Sequence, residues 1–248
     1  KEAAAGIVCR CSAVLGGLAV CLFAAARERY VTVLLFFFFT SKVFLLFAIF
    51  TVLVKVVDVR PVGPEHTRVG FATVNQYVSE LTGVNMLWYD ITDWLGVAVV
   101  AAALGFAFLG AYQLVRRSIK KVDPGLLLLG VFYIAVIAFY IFFELVAVNY
   151  RPVILSQDPE RSYPSSHTMA AVCVMATAMV QYRHLFRGKR RLLILLDIWS
   201  VLIIVVTVIG RLLSGVHWLT DIAGGLLLSS ALVMLYISVL ESVSSDGE

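Results

Sequence analysis

Charge is scarce in this chain. Only 15% of its 248 residues are Asp, Glu, Lys or Arg, against 61% hydrophobic, and the mean hydropathy is +0.94. A water-soluble domain of this length keeps far more charge on its surface, so a soluble globular fold is excluded and lipid becomes the expected solvent. Cysteine is sparse as well. Cys9, Cys11, Cys21 and Cys173 all sit in apolar runs. This excludes a disulfide framework, and Cys9 with Cys11 lacks the partners that zinc needs; the four are read as packing residues. No His/Cys/Asp cluster has metal-ligand spacing, so neither a metal nor another cofactor is expected.

What the chain has in abundance is long apolar runs. A bilayer core asks for about 20 apolar residues per helix. Residues 94–115, 125–148, 163–182, 192–209 and 222–240 meet this need with at most one charged residue or histidine each. Residues 30–57 are also long enough, but they carry Lys42 near the middle and Lys55 near the end. A lysine at that depth must snorkel or find a partner. The expected fold is all-α: a polytopic membrane helical bundle with six core transmembrane helices. Residues 1–29 are expected to form an extra N-terminal or interfacial helix, residues 30–240 the membrane domain, and residues 241–248 a cytoplasmic tail.

Basic residues sort the loops. Arg116, Arg117, Lys120 and Lys121 crowd one short connection, and Arg183, Arg187, Lys189, Arg190 and Arg191 crowd another. Both read as cytoplasmic topology signals, and no nucleic-acid partner is expected. Residues 58–93, 149–162 and 210–220 then face the other side. Residues 1–26 superficially resemble a signal peptide, but cleavage there would put both basic loops outside, so that reading is rejected. In the long external loop 58–93, an apolar stripe of Val69, Val74, Tyr77, Val78 and Leu81 predicts a short helix lying on the membrane surface.

Three polar segments lie on that external side, where stability alone gives no reason for them. Asn149-Tyr150-Arg151-Pro152 follows a spanning run. Tyr163-Pro164-Ser165-Ser166-His167-Thr168 opens another, and Gly210-Arg211 is followed after five residues by His217 and after three more by Asp221. His217 and Asp221, four apart, share a helix face. A carboxylate there fixes the imidazole tautomer and leaves the second nitrogen free to attack an electrophile. Ser165, Ser166 and His167 sit at a helix start, where unpaired N–H groups attract an anion. Arg151 and Arg211 carry forks that match phosphate oxygens. Together these parts suit phosphoryl transfer.

In these segments the chain resembles the type 2 phosphatidic acid phosphatase superfamily, whose motifs are Lys-x6-Arg-Pro, Pro-Ser-Gly-His and Ser-Arg-x5-His-x3-Asp. Here they read Glu144-x6-Arg151-Pro152, Pro164-Ser165-Ser166-His167, and Gly210-Arg211-x5-His217-x3-Asp221. The resemblance covers roughly residues 30–240. It implies a multi-pass cell-membrane enzyme of a bacterial plasma membrane, with an extracytoplasmic active site. The implied substrate is a lipid phosphate or diphosphate, such as polyprenyl diphosphate, phosphatidic acid or phosphatidylglycerophosphate. It further implies His217 as the nucleophile that becomes phosphohistidine, Asp221 as its orienter and His167 as the proton donor to the leaving oxygen. Arg151, Arg211, Ser165 and the backbone at Ser166 would hold the phosphate.

Three positions depart from the motifs. Glu144 stands where the family has lysine; it would point away or pair with Arg151, about 10.5 Å along one face if the helix continues. Arg161 is the candidate to supply the missing positive charge. Ser166 replaces glycine, which is harmless if its φ is negative. Gly210 replaces serine, a lost donor worth ~1–3 kcal/mol if it bonds a charged oxygen. These departures keep a second reading open: a non-catalytic lipid-phosphate binder or transporter on the same scaffold.

Overall fold

The computed structural model describes residues 33–63, 66–117, 122–155, 157 and 159–245. The expected N-terminal helix over 1–29, and Cys9, Cys11 and Cys21, lie outside the described residues. Seven helices and one small hairpin are described. Helix α1 is Val33–Val56. It leads into an antiparallel pair, β1 (Arg60–Val62) and β2 (Thr67–Val69), with Pro61 opposite Arg68. Then follow α2 (Ala72–Thr82), α3 (Met86–Arg117), α4 (Pro124–Leu145), α5 (Ser166–Leu185), α6 (Arg190–Leu213) and α7 (Leu219–Ser245).

Five of these, α1, α3, α4, α6 and α7, are long and apolar enough to cross a membrane. The expected sixth span, α5, has the length but not the hydropathy, for a physical reason. It is the central helix, packed against α3, α4, α6 and α7, and it presents little surface to lipid. Its interior side is built from small or polar residues, among them Ala171, Cys173, Thr177, Ala178 and Gln181, all buried. Small side chains let neighbouring helices approach closely where no hydrophobic force drives association. The outer helices do the reverse: Trp94, Phe108 and Val115 on α3 are at least 74% exposed, a surface that requires lipid.

Local signals set the helix starts. Asp123 caps α4, its carboxylate accepting from Gly125 N at 2.8 Å, with Pro124 in the first turn. Ser165 occupies the same position for α5, its Oγ accepting from Thr168 N at 3.5 Å. At the start of α7, the Asp221 carboxylate reaches back to Trp218 N at 2.9 Å, one half of a capping box. Lys42 finds its partner on its own helix: Nζ lies 4.2 Å from the centroid of the Phe38 ring one turn earlier.

The loop after α1 is more structured than its composition suggests. The helix expected on the 69–81 stripe is α2, and its apolar residues Val74, Tyr77 and Leu81 are exposed while Asn75 is buried. Helix α3 begins at Met86, eight residues before the apolar run, so Asp93 belongs to a helix rather than to a loop. The turn after α2 packs on the turn after α6, where Gly215 has φ 69° and a Cβ would lie 2.2 Å from Gly83 O. Only glycine fits there.

Candidate active site

Every polar segment singled out in the sequence arrives at one end of the bundle. Arg151 follows the C-terminus of α4, His167 opens α5, Arg211 lies in the last turn of α6, and His217 and Asp221 flank the start of α7. The basic residues Arg116, Arg183, Arg190 and Arg191 sit at the opposite ends of α3, α5 and α6. A cavity of about 770 Å³ opens among the site residues; Arg151, Arg161, Ser166, His167 and His217 line it, as does Glu144.

His217 is almost fully buried in the turn between α6 and α7. Its Nδ1 lies 3.7 Å from Asp221 Oδ2, an electrostatic contact longer than a hydrogen bond, and Nε2 has no partner. Asp221 is fixed from three directions: its Oδ2 accepts from Trp218 N, its Oδ1 from Asn149 Nδ2 at 3.0 Å, and its carbonyl from Ser165 N at 3.0 Å. Asn149 also donates to Thr220 Oγ1 at 3.3 Å, and Thr220 Oγ1 accepts from Asn75 Nδ2 at 2.9 Å. The surface helix α2 is thereby tied to the segment that holds the carboxylate.

Burial pushes the His217 imidazole below its ordinary pKa of 6.5. The Asp221 carboxylate opposes this, and the Arg151 and Arg211 guanidiniums push it further down. Desolvation wins, so the ring is neutral with a free lone pair at neutral pH. An imidazole in that state is a nucleophile rather than an acid.

The arginines carry unmet donors. Arg211 is fully buried; its Nη2 bonds Asp93 Oδ1 at 2.8 Å and its guanidinium lies 5.0 Å from the centroid of the Tyr89 ring, yet Nε and Nη1 have no partner. Arg151 Nε lies 2.8 Å from Glu160 Oε2, while Nη1 is buried and unpaired. His167 Nδ1 is likewise buried without a partner. A buried donor with nothing to bond costs roughly 1–3 kcal/mol, and more when charged. Several beside one cavity describe a place prepared for an anion.

The three departures resolve differently. Helix α4 ends at Leu145, so the face expected to carry Glu144 and Arg151 together does not continue; Arg151 pairs with Glu160, and Glu144 is exposed along the cavity. Ser166 is not among the non-glycine residues with positive φ, which are Asp58, His66 and Phe71 among the described residues. Gly210 has a packing reason: a Cβ there would lie 2.5 Å from Thr92 Cγ2 and 3.1 Å from Trp88 Cε3. Helix α3 occupies the space a serine would need. Ser165 is fully buried as the cap of α5, whereas Ser166 and Arg161 reach the cavity.

The sequence reading missed Asp93, Asn149 and Asn75 as parts of the site. Asn149 stood beside Arg151 in a segment already marked as polar. Asp93 carried a fainter signal, an acid one residue before an apolar run.

Residues 144–243 match the model of the PAP2 superfamily. The fold is similar to the crystal structure described as the first transmembrane PAP2 type phosphatidylglycerolphosphate phosphatase from Bacillus subtilis. The TM-score is 0.60 at 22% identity, over 82% of this chain and 96% of that one. That likeness establishes the architecture of a multi-pass membrane protein. A 44-residue stretch is also 52% identical to the HTH-type transcriptional activator BcrR of Enterococcus faecalis, covering 18% of this chain and 22% of that protein. The chain thus spans about a fifth of that curated relative's length.

Proposed function

We propose a reaction for a chain whose residues 144–243 match the PAP2 superfamily: hydrolysis of a phosphate monoester or diphosphate on a membrane lipid, through a phosphohistidine on His217. The observation that carries this is the set of buried, unpartnered nitrogens of Arg151, His167 and His217, which line one cavity at a helix N-terminus, together with those of Arg211, whose charge reaches both histidines. A phosphate supplies the acceptors that the arginine and His167 nitrogens lack, and its phosphorus the electrophile for His217.

The chemistry divides between the two histidines. Neutral His217 attacks phosphorus through Nε2 while Asp221 stabilises the positive charge that develops on the ring. The ester P–O bond breaks, and His167 gives its proton to the leaving oxygen. Water then attacks the phosphohistidine, the P–N bond breaks, and the proton from that water returns to His167. The two guanidiniums and the first N–H groups of α5 neutralise the equatorial oxygens throughout. Arg161, on the same cavity, supplements this charge where the family lysine is replaced by Glu144.

The catalytic end faces away from the cytoplasm, because the basic residues cluster at the other end of the bundle. The apolar stripe of α2 then rests on the outer leaflet beside the site. Polyprenyl diphosphate, phosphatidic acid and phosphatidylglycerophosphate all present the required group; the likeness to the Bacillus subtilis phosphatidylglycerolphosphate phosphatase makes the last the first to try.

Phosphate release from a panel of these lipids in detergent micelles, with His217→Ala as control, tests the reading. Release by the wild type, and none above background by the variant, is expected. Equal release from both would remove the catalytic claim. Tight lipid-phosphate binding without turnover in the wild type would favour the binder.

A further inference from the structure

The three motifs provide one histidine–carboxylate pair, and the structure contains a second. His167 Nε2 lies 3.2 Å from Asp93 Oδ1. The same oxygen accepts from Arg211 Nη2 at 2.8 Å. Asp93 lies on α3, far in sequence from every motif residue. Three residues on, the same helix face bears Gly96, where a Cβ would lie 3.1 Å from His167 Cδ2 and 3.3 Å from Nε2. The backbone of α3 therefore presses on the ring's edge at the same side that Asp93 contacts.

We propose that Asp93 is the positioning residue of the acid: with His167 it forms a second histidine–carboxylate pair that orients the ring and favours its charged form for the leaving group. This rests on the phosphatase reading and deepens it. A leaving-group acid must carry a proton at working pH. The charged and titratable groups facing His167 are Asp93 from α3, Arg211 from α6, Arg151 from the segment after α4, and His217 from the turn before α7. Two of these are permanent cations. Burial and the Arg211 guanidinium act most strongly against the charged ring; Asp93 is the carboxylate placed to oppose them, and by lying against Nε2 it leaves the unpartnered Nδ1 as the atom that donates. The pairs are complementary: Asp221 lies against Nδ1 of the nucleophile and Asp93 against Nε2 of the acid. In the step itself, the P–O bond breaks and the departing oxygen takes the Nδ1 proton. His167 is left neutral, and the later attack of water on the phosphohistidine reprotonates it.

Such a role makes a prediction that scaffolding does not. A poor alkoxide leaving group needs a proton, whereas p-nitrophenolate does not. In full-length protein, Asp93→Asn is expected to lower kcat on a lipid monophosphate by about tenfold or more, without raising KM. Its kcat on p-nitrophenyl phosphate should fall several-fold less, because no general acid is required there and only the loss through the Arg211 contact is common to both substrates. The basic limb of the lipid pH profile should move to lower pH by about one unit, as loss of a nearby opposite charge dictates. Asp93→Glu, which keeps the charge, should return that limb towards the wild-type position. It also serves where the asparagine variant fails to fold. Equal losses on both substrates, or a basic limb unmoved in whichever variants fold, would overturn the pairing while leaving the phosphatase reading intact. A wild type inactive on both substrates would overturn that reading, and this inference with it.

Discussion

Gly210 on α6 and Thr92 on α3 approach so closely that a Cβ at 210 would stand 2.5 Å from Thr92 Cγ2. Thr92 cannot readily give way, because it is buried and its Oγ1 donates to the carbonyls of Trp88 at 2.8 Å and Tyr89 at 2.9 Å. The same contact carries Asp93, one residue on, to Arg211, one residue past the glycine. Replacement of the motif serine is thus linked to the arrival of α3 at the site.

Restoring the family residue should therefore harm the protein. Gly210→Ser is expected to destabilise it by about 1–3 kcal/mol through overpacking, read as a lower Tm in detergent, and to lower kcat. A variant with unchanged Tm and stronger phosphate binding would show that serine has room and finds the anion.

In the mechanism proposed above His217 is the nucleophile, and the pH profile reports on it. The nucleophile must be neutral, and burial holds its pKa below the ordinary 6.5. Turnover through neutral imidazole is then retained as pH falls through 6.5 and lost only lower. The acidic limb of kcat/KM, which reports the free enzyme, is expected below pH 6.5. A limb above pH 7 would mean the imidazolium persists in the folded site and that Asp221, not burial, dominates.

Glu144 lines the cavity, and its charge opposes an anion there. Glu144→Lys should tighten inhibition by phosphate or vanadate by roughly tenfold, the scale of reversing one partly screened charge. Unchanged or weaker inhibition would place Glu144 outside the anion's reach.

Turnover is expected to survive EDTA, since the arginines and the helix start supply the charge stabilisation a metal would otherwise give. Loss in chelator, restored by Mg²⁺ or Zn²⁺, would contradict that division of labour.

How much of this was legible in the sequence depended on whether a signal was local. Hydropathy found the outer helices because each meets lipid along one side. It described α5 least well, since a helix wrapped by protein has no need of apolar residues throughout. Spacing placed His217 near Asp221, although His217 lies in the turn before α7 and not on the helix face expected, and it marked Ser165 at the start of α5. It could not find Asp93 or Asn75, whose partners Arg211 and Thr220 lie more than a hundred residues away along the chain. It also read Gly210 as a lost donor, because the helix that fills that space comes from another part of the fold. The Glu144–Arg151 pairing failed for a plainer reason: α4 stops at Leu145, and Arg151 turns to Glu160.

The most direct test is to trap the intermediate. Wild-type protein mixed with a ³²P-labelled lipid phosphate and quenched in alkali should retain label that acid releases, the behaviour of a phosphoramidate, and peptide mapping should place it on His217. His217→Ala should retain none. Label on His167, or on a serine stable to acid, or turnover with no trapped label in rapid-quench experiments, would contradict the account.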